Sequence, residues 1–249
     1  MDKSDSSLDL LDSHYDTYRM SSIYDNYIRE FTFKTFEPFI ENKQFDILEF
    51  GCSDGQMTER IAVHARSLDV VEGSIRFIER ARKRSLNDHV VFHHSLFENF
   101  IASKKYDAVF ATFILTHIPD VQLFFSAVKR CIKPNGILFV AVPNSRVLSR
   151  QLALHMGLVD DLFVLSENDK NHGHCKCYDR VRLNRDINSN GFNIIGEGGI
   201  MLKPLADFQM DKLIEIGVLK KEQLEGLFKL GLEYPDLSAT IFCICKPKL

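Results

Sequence analysis

Two groups of residues in this chain have types and spacings suited to chemistry. The first lies in ILEFGCSDG, Ile47 to Gly55, where the acidic Glu49 precedes Gly51-x-Ser53-x-Gly55. A second acidic residue, Glu72, follows 21 positions after Gly51. Glycines at a strand tip allow a tight turn and close backbone approach to a ligand. The helix behind them offers unpaired N–H groups. A carboxylate on the neighbouring strand tip can accept from both hydroxyls of a ribose. Together these features predict a nucleotide-like ligand. The second group is Asn171-His172-Gly173-His174-Cys175-Lys176-Cys177-Tyr178. Imidazole suits base catalysis near neutral pH. Zinc also takes His and Cys, but four ligands from H-x-H-C-x-C would strain the backbone, so no metal is expected. A polar loop with incidental thiols is the plainer alternative.

The elements that must hold these groups follow from hydrophobic periodicity. Residues 8–41 read as helical, with Pro38 interrupting late. The pattern then shortens. Strands are predicted at 46–50, 68–71, 90–93, 107–112 and 136–142. Helices are predicted at 56–66, 74–84 (Ser74 as N-cap) and 120–132 (Asp120 as N-cap), with a turn at Lys133-Pro134-Asn135-Gly136. Alternating strands and helices imply right-handed βαβ units and a parallel sheet. Residues 144–190 read as helix, polar loop and helix. Strands at 192–201 and 239–245 flank a helical stretch at 205–232, suggesting a late pair added to one edge of the sheet. The expectation is one domain, 1–249. It divides into an N-terminal helical lid (1–44), a ligand-binding core (45–145) and substrate-shaping helices with terminal strands (146–249). Tyr15, Tyr18 and Tyr24 are candidates for the lid, with packing as their alternative role.

Glycine spacing separates two nucleotide ligands. A dinucleotide fold takes G-x-G-x-x-G, and here Gln56 stands at its last position and Ser53 at its middle one. G-x-S-x-G instead resembles the first motif of the class I S-adenosylmethionine-dependent methyltransferases, in which an acidic residue precedes G-x-G-x-G. The resemblance continues through VVEGS (Val70 to Ser74), HSLFENF (His94 to Phe100), YDAVFATFILTHIPD (Tyr106 to Asp120) and VKRCIKPNGILFVAVPN (Val128 to Asn144). Two residues depart from that pattern: Ser53 for the middle glycine, and Ser95 near the place of a usual acidic residue. The resemblance implies a doubly wound, Rossmann-like α/β fold. Its seven-stranded sheet is mostly parallel with an antiparallel last strand, and helices cover both faces. It implies S-adenosylmethionine as cofactor. Glu49, Gly51, Ser53 and Gly55 would then border its methionine part, and Glu72 with Gly73 its ribose. Ser95, Leu96 and Phe97 would flank adenine. Thr112 and Phe113 would face the sulfonium, with His117 just beyond.

The stretch HGHCKCYDRVRLNRDINSNGF, followed by GGIMLKP, resembles the region after the fifth strand in small-molecule methyltransferases. There a His-bearing loop closes over the acceptor. This implies His174 or His172 as general base for a hydroxyl acceptor. An N-methyltransferase acting by positioning alone and a cofactor-binding module without catalysis stay open. Net charge of −3 gives no footprint for nucleic acid or an anionic membrane. No apolar run reaches the roughly 20 residues that cross a bilayer, and the polar N-terminus lacks a secretory pattern. The expected setting is cytoplasmic. Cys52, Cys131, Cys243 and Cys245 read as buried thiols, which suits a reducing compartment. The oligomeric state leaves no mark in the sequence.

Overall fold

The structure is a computed structural model that describes residues 22–84 and 86–248. The predicted N-terminal helix lies partly outside these residues, Tyr15 and Tyr18 included. Its described part is α1 (Ile23–Phe36), opened by Ser22, whose Oγ accepts from the Asp25 N–H. Pro38 converts its end into a short 3-10 turn, Glu37–Phe39.

The strands are β1 (Phe45–Phe50), β2 (Ala65–Glu72), β3 (Val90–His94), β4 (Tyr106–Thr112), β5 (Ile132–Pro143), β6 (Phe192–Leu202) and β7 (Ser238–Pro247). They form one sheet in the order β3-β2-β1-β4-β5-β7-β6. β1 to β5 pair in parallel, while β7 runs antiparallel between β5 and β6. This is the expected sheet. The chain winds outward from β1 to β3, then returns to place β4 on the other side of β1. That reversal opens a crevice beyond the carboxyl ends of β1 and β4, where open α/β sheets bind ligands.

The connecting helices are α2 (Gln56–Ala62), α3 (Ile75–Ala81), α4 (Val121–Cys131), α5 (Leu148–His155), α6 (Glu167–Asn171), α7 (Arg180–Ser189), α8 (Asp207–Glu215) and α9 (Lys221–Glu233). Ser74 and Asp120 cap α3 and α4 as the sequence predicts, accepting from Phe77 N and from Gln122 and Leu123 N. Three boundaries differ from expectation. α2 stops at Ala62 and β2 begins at Ala65, where Ala65 pairs with Phe45 of β1. Lys133 to Gly136 form no separate turn. They bulge within β5, whose register against β4 jumps from Tyr106↔Ile132 to Ala108↔Ile137. The stretch 205–232 breaks into α8 and α9 at Gly217, whose φ of +73° is left-handed.

Alternate residues of the central strands serve two cores. Ile47, Ala108, Phe110, Phe139 and Ala141 face the side covered by α1, α2, α8 and α9, with Phe36, Ile61, Met210 and Phe228. Leu48, Val109, Ala111, Leu138 and Val140 face α4 and α7, with Phe124, Val128, Leu183 and Ile187. Burial on both faces explains why these strands are almost wholly apolar. α1 is fixed by aromatic contacts. Phe36 lies 4.9 Å from Phe139 and 5.7 Å from Phe242 between ring centroids. Phe31 stacks on Phe228 at 4.6 Å. This packing holds the start of α1 over the crevice.

Candidate functional site

The turn after β1 is built from backbone constraints. Gly51 and Gly55 have φ of +77° and +80°. A Cβ on Gly55 would sit 2.8 Å from Ala81 Cα, and one on Gly51 2.5 Å from Ile114 Cγ2. Ser53, between them, also has a left-handed φ, +50°. An L-residue there costs about 1–2 kcal/mol, which gives a physical reason for the glycine usual in the family it resembles. The Ser53 hydroxyl is buried and finds no hydrogen-bond partner among the described residues. Replacing Ser53 with Gly therefore raises stability by about 1 kcal/mol, read by urea denaturation. A lower stability would show that the hydroxyl anchors the turn.

Side chains from three elements clamp this turn. Glu72, at the tip of β2, accepts from the backbone N–H of Cys52 (3.0 Å) and Ser53 (3.4 Å) on Oε2, and from Ser74 N–H (2.9 Å) on Oε1. Burial pushes its carboxyl above the usual range, against the lowering effect of these N–H groups. Asp54 is bracketed by Arg84 (2.9 Å) and Arg29 of α1 (3.5 Å), and Arg29 also pairs with Asp25 (2.6 Å). Burial opposes ionisation of Asp54, but Arg29, Gln56 and Arg84 overcome it and hold the carboxyl below its usual value. Glu49 lies beneath the turn with no solvent exposure. Its Oε2 accepts from Thr58 Oγ1 at 2.6 Å, and its Oε1 has no partner among the described residues. Burial, outweighing the Thr58 bond and reinforced by Glu72 and Asp54, pushes its pKa up to about 8.

Glu49 thus favours its protonated form in the fold. An acid whose folded pKa exceeds its unfolded one binds more protons when folded, so it makes stability fall as pH rises between the two values. That window runs from the ordinary carboxyl range to about 8. Substituting Glu49 with Gln, which keeps an acceptor for Thr58, should remove this loss. The check is chemical denaturation of both proteins from pH 5 to 9. The two curves should converge at low pH and diverge upward for the variant, and parallel curves would contradict a protonated Glu49.

Above the turn is a cavity of about 400 Å³. Of the residues the sequence singles out, Gly51, Ser53, Glu72, Gly73, Ser95, Leu96, Phe97, Thr112, Phe113, His117 and His172 line it. Phe97 also packs edge-on against Phe124 at 5.3 Å, so it serves wall and core together. Phe113 has a φ of +63°, an unusual conformation for an aromatic residue, held by its N–H bond to Ala141 O at 2.7 Å. Glu49, Gly55 and His174 are not among the walls. Glu49 supports the turn from below, and Gly55 packs against α3. His174 has a side chain only 6% exposed, with Nδ1 3.3 Å from Asp169 Oδ1. Its ring lies edge-on to His117 at 4.8 Å.

The cavity also has walls that spacing did not reveal: Tyr24, Asp25, Ile28 and Arg29 from α1, and Lys203 and Asp207 after β6. Tyr24, noted only as a lid residue, is 4% exposed, and its hydroxyl has no partner among the described residues. Burial first, then Asp207, Asp25 and Asp211, raise its pKa well above normal, which keeps the phenol neutral and a donor. The sequence signal available for these residues was slight: the i,i+4 pair Asp25–Arg29 on an otherwise amphipathic helix. Among the described residues no group of three or more His, Cys, Asp or Glu side chains is gathered to hold a metal. The six cysteines are free thiols, with Cys175 exposed and Cys177 half-buried.

A family model for a methyltransferase domain matches residues 18–197. The chain belongs to the class I S-adenosylmethionine-dependent methyltransferase family. Among curated relatives, Nodulation protein S of Azorhizobium caulinodans is 30% identical over 88 residues, 35% of this chain and 42% of that protein. The Ubiquinone biosynthesis O-methyltransferase of Brucella anthropi is 26% identical over 165 residues, 65% of each chain. The match thus spans less than two thirds of the length of either relative. Two solved structures share the fold of this chain. The N-methyltransferase NodS from Bradyrhizobium japonicum WM9 in complex with S-adenosyl-l-homocysteine has a TM-score of 0.59, 13% identity and 99% coverage of both chains. The plantazolicin methyltransferase BpumL has a TM-score of 0.60 and 18% identity, covering 99% of this chain and 93% of its own.

The residues of this chain fit the family's cofactor. Two buried hydroxyls without hydrogen-bond partners among the described residues, Tyr24 Oη and Ser53 Oγ, belong to residues that line the cavity. Both can donate to a polar ligand. Glu72 accepts three N–H bonds yet still lines the cavity. A carboxylate has about four lone-pair sites, so at most one remains for a ligand hydroxyl. No helix among the described residues is long and apolar enough to cross a membrane.

Proposed function

We propose that this methyltransferase transfers a methyl group to a hydroxyl of a small-molecule acceptor, with His172 as the base that takes the hydroxyl proton. The observation that carries this reading is an imidazole pair, His172 and His117, in the wall of the cavity that holds the glycine turn and Glu72. S-Adenosylmethionine, when bound, supplies a sulfonium methyl with a good leaving group. Tyr24, Ser53 and Glu72 bind and orient it. Thr112 and Phe113 shape the wall towards the acceptor, and Lys203 and Asp207 complete the far side. Excluding water and fixing approach geometry is the main task of such residues.

The imidazoles add proton transfer. His172 Nδ1 lies 2.6 Å from the Asn168 carbonyl, and His117 Nδ1 lies 3.3 Å from the Gly173 carbonyl. A carbonyl only accepts, so each Nδ1 carries the hydrogen and donates it, and Nε2 is the basic nitrogen of each neutral ring. A small-molecule acceptor also suits a chain with no basic surface excess, and the name of the Brucella anthropi relative, an O-methyltransferase, points the same way.

The test is transfer of label from methyl-labelled S-adenosylmethionine to a panel of phenols, catechols and primary amines. Labelling of hydroxyls is expected. Labelling of amines alone would replace this reading with N-methylation by positioning. Binding of cofactor with no labelled product on any acceptor would favour a binding module.

A further inference from the structure

α6 and the loop after it hold a half-buried carboxylate and a buried imidazole outside the cavity wall, Asp169 and His174. We propose that Asp169 and His174 are positioning residues that fix the tautomer and orientation of both cavity imidazoles, His172 and His117; this rests on the methyl-transfer reading above. Asp169 is where the loop is tied together. Its Oδ2 accepts from Ser166 N (2.9 Å) and Ser166 Oγ (2.7 Å), while Ser166 Oγ accepts from Asp169 N, closing the capping box of α6. The same oxygen lies 3.4 Å from Arg150 Nη1, which ties α6 to α5. Its Oδ1 takes the Nδ1 hydrogen of His174 at 3.3 Å, and its backbone carbonyl accepts from His174 N at 2.9 Å. Burial disfavours its charge, but the bonds from His174 and Ser166 hold the carboxyl well below the usual range, so Asp169 is ionised.

The loop folded this way presents two carbonyls. Asn168 O meets His172 Nδ1, and Gly173 O meets His117 Nδ1. The His174 ring stands between the two cavity rings, 4.8 Å from His117 and 6.3 Å from His172. The Cys175 N–H, donating to Thr116 O at 2.8 Å, docks the loop on the turn that carries His117. One carboxylate therefore organises the acceptors that place hydrogen on Nδ1 of both rings and the basic lone pair on Nε2. A side chain needed only for packing would have no such consequence for ring protonation.

The experiment is nitrogen NMR of histidine-labelled protein, which reads each ring's tautomer directly, on wild type, Asp169→Ala, Asp169→Asn and His174→Phe. Calorimetric binding of S-adenosylhomocysteine is measured beside it to confirm that each variant keeps the cavity. Wild type should show His117 and His172 as single Nδ1–H tautomers. Asp169→Ala should turn both into tautomer mixtures, and Asp169→Asn, whose single amide oxygen can accept from His174 or from Ser166 but not from both, should show a partial loss of the single form. His174→Phe should shift both rings if the alanine variant loses its fold. Unchanged His117 and His172 signals in Asp169→Ala and His174→Phe would overturn the proposal. A wild type that does not bind S-adenosylhomocysteine would instead count against the cofactor reading, a separate failure.

Discussion

Replacing His172 with Ala is expected to lower turnover of a hydroxyl acceptor by about 100-fold, the lower end of what a positioned general base contributes. Affinity for S-adenosylhomocysteine should stay close to wild type, because His172 lies on the loop after α6, away from the turn built by Gly51, Gly55 and Glu72. The separation matters. A loss in kcat with unchanged cofactor affinity marks an interaction made during reaction, whereas a parallel loss of both marks a collapsed cavity. His117→Ala should also slow turnover, since its ring shares the wall. Unchanged turnover in both variants would remove the base from the mechanism and leave positioning alone.

The second large effect concerns Glu72. Its substitution by Ala should weaken S-adenosylhomocysteine binding by about 100-fold, near 2.7 kcal/mol. Two losses add. The ligand loses its carboxylate acceptor, and the N–H groups of Cys52, Ser53 and Ser74 lose the buried oxygens they now meet. An unsatisfied buried donor costs about 1–3 kcal/mol. Glu72→Gln keeps one acceptor oxygen and should fall between the two. Calorimetric titration of the three proteins gives the comparison. Wild-type affinity in Glu72→Ala would mean that the β2 carboxylate only braces the turn.

Much of this site was legible because the chemistry lies in local backbone constraints. A glycine is needed where φ is positive, and Gly51 and Gly55 stand where the turn requires it. Glu72 was legible because strand tips in a parallel sheet fall side by side: Glu49 pairs with Val70, and Phe50 with Val71. The departure at Ser53 also resolved into physics, a serine in a left-handed conformation. What spacing could not show is direction. Glu49 and Phe50 are neighbours in sequence, but strand alternation sends Glu49 to the α2 face, where it meets Thr58 and lies outside the cavity wall. His172 and His174 are two apart in a loop with no such period. One ring enters the cavity wall, and the other turns back to Asp169.

Of α1 the sequence offered Tyr24 as a lid candidate but not Asp25 and Arg29, for a different reason. Tyr24, Asp25 and Arg29 reach the cavity through the packing of Phe31 and Phe36, further along the same helix, on Phe228 and Phe139. That is a tertiary fact carried by aromatic contacts between distant segments. Likewise the helical stretch 205–232 carried a usable break signal, Gly217, whose left-handed φ ends α8 before α9 begins. Lys203 and Asp207 enter the cavity wall from the segment that joins β6 to α8.

The most direct measurement is calorimetric titration of the wild-type protein with S-adenosylhomocysteine, with NAD as the competing ligand. The cavity, the left-handed glycine turn and the Glu72 clamp predict saturable one-site binding of S-adenosylhomocysteine and none of NAD. Failure to bind S-adenosylhomocysteine, or binding of NAD in its place, would contradict the account.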